Sequence, residues 1–244
     1  MKPTPLITCE HAGNRVPPRY RALFRGAARV LRSHRGWDRG ALAVARDLAR
    51  ALAAPLLFTE TTRLLVDTNR SIGNPGLFSE WSRTLSPEER SEALERCWHP
   101  HRAAVEELAR AATRGRGSVL HLAIHSFTPR WRGRPRAVDV GFLYDPARRR
   151  ERRFAMEWQR ALRERRADLR LRRNQPYRGN ADGLTTYLRG RFGARAYLGL
   201  ELEVSQRFPA GSRAGWARLR RDLEDSLLQV LGRAELERTA GESA

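Results

Sequence analysis

Three apolar segments of the chain carry side chains that can bind a metal ion or accept a proton. The segments cover residues 6–14, 119–127 and 197–204. The polar side chains in or directly after them are Glu10, His11, His125, Glu201 and Glu203. Short apolar runs of this kind are typical of buried strands, and open α/β sheets place their chemistry at the carboxyl edge of such strands. The pattern therefore predicts one polar site at a sheet edge, with a metal ion at its centre.

Zinc binds histidine nitrogen and carboxylate oxygen, and a catalytic zinc site keeps three protein ligands and one open position. His11 and His125 are the first two candidate ligands, because each lies at the end of its own apolar strand. Asp38 is the third; it stands just before a strong helical pattern, so a capping carboxylate worth about 1 kcal/mol is the alternative. Glu10 is a reserve ligand, since neighbouring side chains of a strand point to opposite faces. His121 lies about 13 Å from His125 along a strand and is left out of the site.

Glu201 and Glu203 are two residues apart in an otherwise apolar strand, which puts both carboxylates on one face. A carboxylate on the face of a central strand costs free energy unless it is paired or used. Glu203 is nearer the carboxyl edge and is the predicted general base, which accepts a proton from water and passes it to the leaving nitrogen. Glu201 is predicted to orient another group of the site. A solvated face of an edge strand is the alternative for the pair.

The elements that must position these side chains alternate between strand-like and helix-like patterns. The 244 residues suffice for one domain with a large core, and the alternation predicts a three-layer α/β/α fold with a mostly parallel or mixed sheet. Further strands are predicted at 54–58, 64–70, 138–145 and 169–173. Helices are predicted at 41–52, 88–112 with a kink at Trp98–His101, 147–165, 183–189 and 216–231, and the last dozen residues are expected to fray.

The chain carries a formal net charge of +20, with 47 basic residues against 27 acidic ones. All of the basic residues except Lys2 are arginine, and alanine and leucine are abundant, which is the composition expected of a GC-rich coding sequence. A basic nucleic-acid-binding module is the rival class, since clustered cations release counterions from phosphate. The arginines are spread along predicted helices without a recognised binding motif. A solvated arginine-rich surface is therefore the preferred interpretation, and no nucleic-acid partner is expected.

Neither a membrane span nor a disulfide framework is predicted. No apolar run approaches the roughly 18 residues needed to cross a bilayer, and no apolar signal segment follows Met1, so the expected location is the cytoplasm. Cys9 and Cys97 form no spaced motif. Cys9 ends the first strand and is interpreted as a small buried thiol rather than as a nucleophile.

Several short motifs occur in one order along nearly the whole chain. They are Cys9-Glu10-His11-Ala12-Gly13, Trp37-Asp38-Arg39-Gly40-Ala41, Asp67-Thr68-Asn69-Arg70, His125-Ser126-Phe127, Val140-Gly141-Phe142-Leu143-Tyr144, Asn174-Gln175-Pro176-Tyr177 and Glu203-Val204-Ser205-Gln206. Together they resemble the N-formylglutamate amidohydrolase family. The resemblance implies a zinc-dependent hydrolase on an α/β fold that cleaves the N-acyl amide of an acidic amino acid. The pattern is also similar to that of zinc-dependent N-acetylmuramoyl-L-alanine amidases, which implies His11, Asp38 and His125 as ligands and Glu203 as the catalytic acid/base.

Other polar residues in or beside these motifs are predicted to contact the substrate, namely Asn69, Arg70, Ser126, Asn174, Tyr177 and Arg178. Asn69 or Arg70 would stabilise the tetrahedral oxyanion, and Arg70 and Arg178 would hold substrate carboxylates. Ser126 and Asn174 would position polar groups. The expected cofactor is one zinc ion, and the expected partner is a small N-acyl amino acid such as N-formylglutamate. A peptide or cell-wall-type amide is the alternative substrate, and the oligomeric state is left open.

Overall fold

A central β-sheet crosses the computed structural model, which describes the backbone of residues 3–242 and the side chains of residues 3–232. The strands of this sheet and of a short hairpin are β1 (Thr4–Cys9), β2 (Leu56–Phe58), β3 (Val119–Phe127), β4 (Arg130–Trp131), β5 (Arg134–Pro135), β6 (Val140–Leu143), β7 (Leu171–Arg173) and β8 (Tyr197–Ser205). The order across the six-stranded sheet is β2-β1-β3-β8-β6-β7, and β4 and β5 form the hairpin. The first four strands in this order are parallel, whereas β6 pairs antiparallel with β8 and parallel with β7. The predicted mixed sheet is confirmed.

Helices cover both faces of the sheet. They are α1 (Ala28–Leu31), α2 (Ala41–Ala51), α3 (Pro87–Ala93), α4 (His99–Ala112), α5 (Arg149–Arg165), α6 (Leu184–Arg191) and α7 (Arg213–Glu242), with a π-helical turn at Leu94–Trp98 and 3-10 helices at Pro18–Phe24 and Ser82–Thr84. Leu48 of α2, Trp158 of α5 and Leu223 of α7 belong to the core on one face. Val105 of α4 and Leu188 of α6 belong to the core on the other face. The predicted three-layer α/β/α fold is confirmed.

The alternation of β8 directs its glutamates to one side of the sheet. Leu200, Leu202 and Val204 are buried in the core beneath α2, α5 and α7. Successive side chains of a strand point to opposite faces, so Glu201 and Glu203 share the face that α4 and α6 cover. The predicted common face of the two carboxylates is confirmed.

Residues 64–70, predicted as a strand, form turns instead. The N–H of Arg70 donates to the carbonyl of Asp67 at 2.9 Å, and the Asp67 carboxylate accepts the N–H of Asn69 at 2.9 Å. Local contacts of this kind are the reason that aspartate favours turns over strands. The apolar residues 64–66 are buried in small clusters beside the two main cores, so their hydrophobicity reflects burial without strand pairing.

The predicted interruption near Trp98–His101 is confirmed. The π-helical turn ends at Trp98, and α4 begins at His99 with Pro100 in its first turn. Proline is tolerated there because the first N–H groups of an α-helix have no intrahelical acceptor.

The C-terminal helix α7 runs further than predicted, from Arg213 to Glu242 rather than from Trp216 to Leu231. The expected fraying falls on residues 233–244, whose side chains lie outside the described part of the chain, so it stays a prediction. None of the described helices is both long enough and apolar enough to cross a lipid bilayer.

Candidate metal and catalytic site

His11, Asp38 and His125 come together from three separate elements at the carboxyl edge of the parallel strands. His11 follows β1, Asp38 precedes α2, and His125 lies near the end of β3. The Nδ1 atoms of His125 and His11 lie 3.1 Å and 3.4 Å from the same Asp38 oxygen, Oδ2. One potential ligand atom from each residue lies within 4.8 Å of the other two, and all three residues are buried. These are donor types that could hold a divalent metal ion.

Asp38 does not cap α2, although its position in the sequence allowed that role. Gly40 is the N-cap residue, with a left-handed φ of 88°, and no side chain caps the helix. A Cβ at residue 40 would lie 2.9 Å from the side chain of Pro209, so conformation and space both favour glycine there. The Asp38 carboxylate faces His11 and His125 instead.

The far ring nitrogen of each histidine contacts a second carboxylate. His11 Nε2 lies 2.7 Å from Asp67 Oδ1, and His125 Nε2 lies 3.1 Å from Glu10 Oε2. The contact between His11 and Asp67 is a hydrogen bond, which fixes the ring orientation and the tautomer of a metal-binding imidazole, whereas the contact between His125 and Glu10 is an ion pair without a hydrogen bond. Glu10, predicted as a reserve ligand, thus lies behind His125 and outside the group around Asp38 Oδ2. Asp67 is a site residue that the spacing of the apolar segments does not indicate.

The surroundings of the carboxylates that contact the two histidines, Asp38, Asp67 and Glu10, lower their pKa values and favour the ionised form. Burial raises the pKa of Asp38, but Arg63 and the histidines hold that pKa well below its usual range. Burial also raises the pKa of Asp67, and His11 outweighs this effect and lowers it. Burial lowers the pKa of His125, whereas Asp38 and Glu10 hold it well above its ordinary value. The negative charge that stabilises a protonated imidazole here would equally stabilise a bound cation.

Arg63 is a second site residue that no sequence pattern indicates, because it is one of many arginines. Its Nη2 donates to Asp38 Oδ1, so one carboxylate oxygen of Asp38 binds Arg63 while the other faces the histidines. His34 Nδ1 also lies 3.3 Å from Asp38 Oδ1. These contacts fix the carboxylate with Oδ2 directed at His11 and His125.

Glu203 and His125 occupy paired positions on the adjacent parallel strands β8 and β3. Glu203 is 5% exposed, and its Oε2 has no hydrogen-bond partner in the described part of the chain. Burial, together with the charges of Asp38 and Glu201, raises the pKa of Glu203 to about 8, against an opposing effect of His125. Glu201 accepts a hydrogen bond from the hydroxyl of Thr185.

These groups open into a cavity of about 200 Å³. Most of the predicted site residues line it, namely His11, Asp38, Asn69, Arg70, His125, Ser126, Tyr177, Arg178, Glu201 and Glu203. The other lining residues are His34, Arg63, Ala181 and Asp182. A larger cleft of about 870 Å³ along α5 is lined mainly by arginine and has no histidine in its wall. Volume alone would therefore point away from the cluster of His11, Asp38 and His125.

The two asparagines that are predicted to contact the substrate have different surroundings. Asn69 lines the cavity, and its Oδ1 accepts the N–H of Leu184 at 2.7 Å, which identifies the Nδ2 side of the amide as the available donor. Asn174 is not among the residues that line the cavity. Its Oδ1 accepts the N–H groups of Tyr144 and Gly179 at 3.0 Å and 3.2 Å, so it stabilises the backbone of the loop.

The remaining buried histidines are not part of the cluster around Asp38. His101 of α4 lies 3.4 Å from Glu10 Oε1, so it extends the support behind His125. His121 is bonded through Nδ1 to the hydroxyl of Tyr197 at 2.6 Å and stays apart from the cavity, as expected.

Comparison with known proteins places these residues in a family. The profile of the N-formylglutamate amidohydrolase family matches residues 4–208, which contain the candidate ligands and both glutamates of β8. No curated protein matches the chain. The crystal structure of a gene product from Agrobacterium tumefaciens has a TM-score of 0.80 at 31% identity and covers 96% of this chain and 92% of its own.

Two structures of lower sequence identity also match this chain. N-formylglutamate amidohydrolase from Ralstonia eutropha has a TM-score of 0.73 at 21% identity, with 97% of this chain and 96% of its own covered, and supports the fold. N-acetylmuramoyl-L-alanine amidase from Nostoc punctiforme has a TM-score of 0.44 at 12% identity, with 94% of this chain and 97% of its own covered. This structure is too distant to bear on function. The family match covers most of the chain and supports amide hydrolysis as its chemistry. The chain belongs to the N-formylglutamate amidohydrolase family.

Proposed function

We propose that this protein is a zinc-dependent amidohydrolase that cleaves the N-acyl amide of a small amino acid with a free carboxylate, such as N-formylglutamate. The observation that carries the proposal is the position of Glu203 beside the cluster of His11, Asp38 and His125, within one largely buried cavity. Family membership supports amide hydrolysis, and a cavity of about 200 Å³ suits a small-molecule substrate.

The donor set fits a divalent metal ion. His11 Nδ1 is buried without a hydrogen-bond partner among the described residues, and it faces the same Asp38 oxygen as His125 Nδ1. An imidazole nitrogen left unbonded in the interior costs free energy, which coordination of a cation removes. His11, Asp38 and His125 would hold the ion, and a bound zinc ion supplies the Lewis acidity that lowers the pKa of water and polarises the amide carbonyl.

Glu203 is the general base of the proposed reaction. It accepts the proton of the attacking water on its unbonded Oε2 and delivers this proton to the nitrogen of the departing amine. Burial raises its pKa to about 8, and the positive charge of a metal ion held by His11, Asp38 and His125 would lower this pKa, so that the ionised carboxylate can accept the proton near neutral pH. The negative charge of Glu201 adds to the increase in the pKa of Glu203.

Asn69, Arg70 and Arg178 bind the substrate. The Asn69 amide nitrogen donates to the developing oxyanion, because Leu184 occupies the amide oxygen. Arg178 lines the cavity, and its guanidinium makes no hydrogen bond or ion pair to the described residues, so it is available to a carboxylate. The second substrate carboxylate binds the cavity-lining Arg70, whose planar fork suits it to this role.

Hydrolysis of N-formylglutamate by the purified protein tests the proposal. Formate release is expected with the protein as isolated, loss of release after treatment with a chelator, and recovery on adding zinc back. Parallel assays use N-acetylglutamate and N-acetylmuramoyl-L-alanine. Hydrolysis that survives complete metal removal would contradict the metal requirement. Hydrolysis confined to the muramoyl substrate would contradict the proposed substrate class.

A further inference from the structure

Two loops contribute side chains to the wall of the cavity. Residues 67–77 supply Asn69 and Arg70, and residues 174–183 supply Tyr177 and Arg178. Both loops are irregular in conformation, so contacts between them decide where their side chains lie relative to Glu203.

Asp182, which belongs to the second loop, accepts hydrogen bonds from three residues of the first. Its Oδ2 accepts the N–H of Ser71 at 3.1 Å and the side-chain N–H₂ of Asn74 at 2.6 Å. Its Oδ1 accepts the Ser71 hydroxyl at 2.5 Å. Its backbone carbonyl accepts the guanidinium of Arg70 through Nη1. Asp182 thereby accepts hydrogen bonds from one backbone N–H, from the side chains of Ser71 and Asn74, and from the guanidinium of Arg70, all in the opposite loop.

Arg70 is anchored at its other end as well. Its backbone carbonyl accepts the indole N–H of Trp98 at 2.8 Å and the Nη2 of Arg102 at 3.0 Å. The backbone of Arg70 is therefore fixed at one end of the residue, and Nη1 of its guanidinium is fixed at the other. Nε and Nη2 remain as donors for a ligand in the cavity.

The electrostatics of Asp182 agree with this role. Burial raises the pKa of Asp182, but hydrogen bonds from Ser71 and Asn74 and the charge of Arg70 lower it below its usual value. The carboxylate is therefore ionised near neutral pH, and its contacts to the first loop are charge-assisted.

We propose that Asp182 is a positioning residue that clasps the two loops together and holds Arg70 in place to bind one carboxylate of the substrate. This inference rests on the proposed function, in which Arg70 binds a substrate carboxylate. Discrimination between a carboxylate and its neutral amide then depends on Asp182 acting through Arg70. A side chain fixed before binding loses less conformational entropy when the ligand arrives, so the clasp lowers KM rather than raising kcat.

Kinetics of the metal-loaded enzyme test the proposal with N-formylglutamate and its two monoamides as substrates. Asp182→Ala is expected to raise KM roughly tenfold for substrates that keep the carboxylate bound by Arg70, with kcat little changed. The monoamide that lacks this carboxylate should show no such increase. Asp182→Ala should add almost nothing to Arg70→Ala, because the Asp182 carboxylate, which binds Ser71 and Asn74, affects the substrate only through the position of Arg70. Asp168→Ala removes an exposed carboxylate that pairs with Arg166 away from the cavity; it is the matched control and should leave the kinetics with all three substrates unaffected.

Equal losses on all three substrates, a loss confined to kcat, or additive effects with Arg70→Ala would overturn the proposal. Hydrogen exchange tests the clasp without any substrate. Exchange across residues 67–77, including the N–H of Ser71, should be faster in Asp182→Ala than in the wild type and in Asp168→Ala. Unchanged exchange would overturn the clasp. A wild-type protein that hydrolyses none of the three substrates would refute the proposed function, while the exchange measurement would still decide whether Asp182 holds the loops.

Discussion

His125 of β3 and Glu203 of β8 are paired residues on neighbouring parallel strands. Adjacent strands lie about 4.8 Å apart, so the backbone of the sheet fixes a candidate metal ligand and a candidate base side by side. Neither side chain depends on a loop for its position. A general base needs a fixed distance to the water that it deprotonates, and the centre of a sheet provides it.

Replacement of Glu203 by glutamine is expected to lower kcat roughly a hundredfold or more, because the base is lost while the shape is kept. The fold should tolerate the change, since burial already favours the uncharged carboxyl and raises its pKa to about 8. Steady-state kinetics and metal content of the variant check both points. Glu201→Gln is the matched control and should lose far less activity. A larger loss in Glu201→Gln would assign the base to Glu201 instead.

Replacement of Asp67 by asparagine is expected to weaken zinc binding roughly 10- to 100-fold. The carboxylate lies 2.7 Å from His11 Nε2, and asparagine cannot hold the imidazole with the same charge or fix its tautomer. Competition with a coloured chelator measures the affinity. Asp47→Asn is a suitable control, because Asp47 is as buried as Asp67 but pairs with Arg50 and Arg220 on another face. Equal affinities in the two variants would remove Asp67 from the site.

Replacement of Arg178 by alanine is expected to raise KM for N-formylglutamate roughly tenfold or more, with a much smaller effect on kcat. The reason is the loss of a guanidinium that lines the cavity without a protein partner among the described residues. Arg160→Ala removes an arginine from the wall of the distant cleft along α5 and is the control. The same KM in wild type and Arg178→Ala would show that Arg178 does not bind substrate.

His121 is expected to make the protein less stable in mild acid. Burial lowers its pKa to about 4, whereas an unfolded histidine has a pKa of about 6.5. Between these values the unfolded chain binds a proton that the folded protein does not. The stability that the neutral, buried His121 contributes is therefore fully present above about pH 6.5. It is lost progressively as the pH falls towards about 4, and the total loss in the free energy of unfolding is roughly 3 kcal/mol.

Urea unfolding of the wild type and of His121→Gln, at neutral pH and at about pH 5, measures this contribution. The variant should lose less free energy of unfolding than the wild type over that interval. Parallel pH dependence in the two proteins would show that another group is responsible.

The strand residues of the site could be predicted from the apolar pattern, and the cavity-lining loop residues Asn69, Arg70, Tyr177 and Arg178 from their places in or beside motifs shared with the family, but Arg63 and the contact of Asp67 with His11 could not be predicted. His125, Glu201 and Glu203 lie in apolar strands whose alternation fixes the face of each side chain. His11 lies directly after such a strand. Asp67 and Arg63 belong to a segment of turns, where no periodicity relates position in the sequence to direction in space. Their roles follow from contacts across the fold, to His11 and to Asp38.

The predicted strand at 64–70 is wrong for a related reason. Its apolar residues are buried, but side-chain and backbone contacts of Asp67 close turns that a strand would exclude. Asp38 shows the converse case, because its position before α2 resembles a cap while Gly40 takes that place and the carboxylate turns to the histidines. A polar residue just before a helical pattern therefore indicates roughly where the helix begins, but it does not show whether the side chain caps the helix or belongs to a site.

Zinc binding to metal-free protein, measured by titration calorimetry, tests the metal site most directly. The account predicts one zinc ion for each chain, loss of tight binding in His11→Ala and His125→Ala, and unchanged binding in His99→Ala. His99 is the control because it is partly exposed on α4, 3.6 Å from Glu95 and outside the cluster around Asp38. No binding by the wild type, or equally tight binding by His125→Ala, would contradict the account.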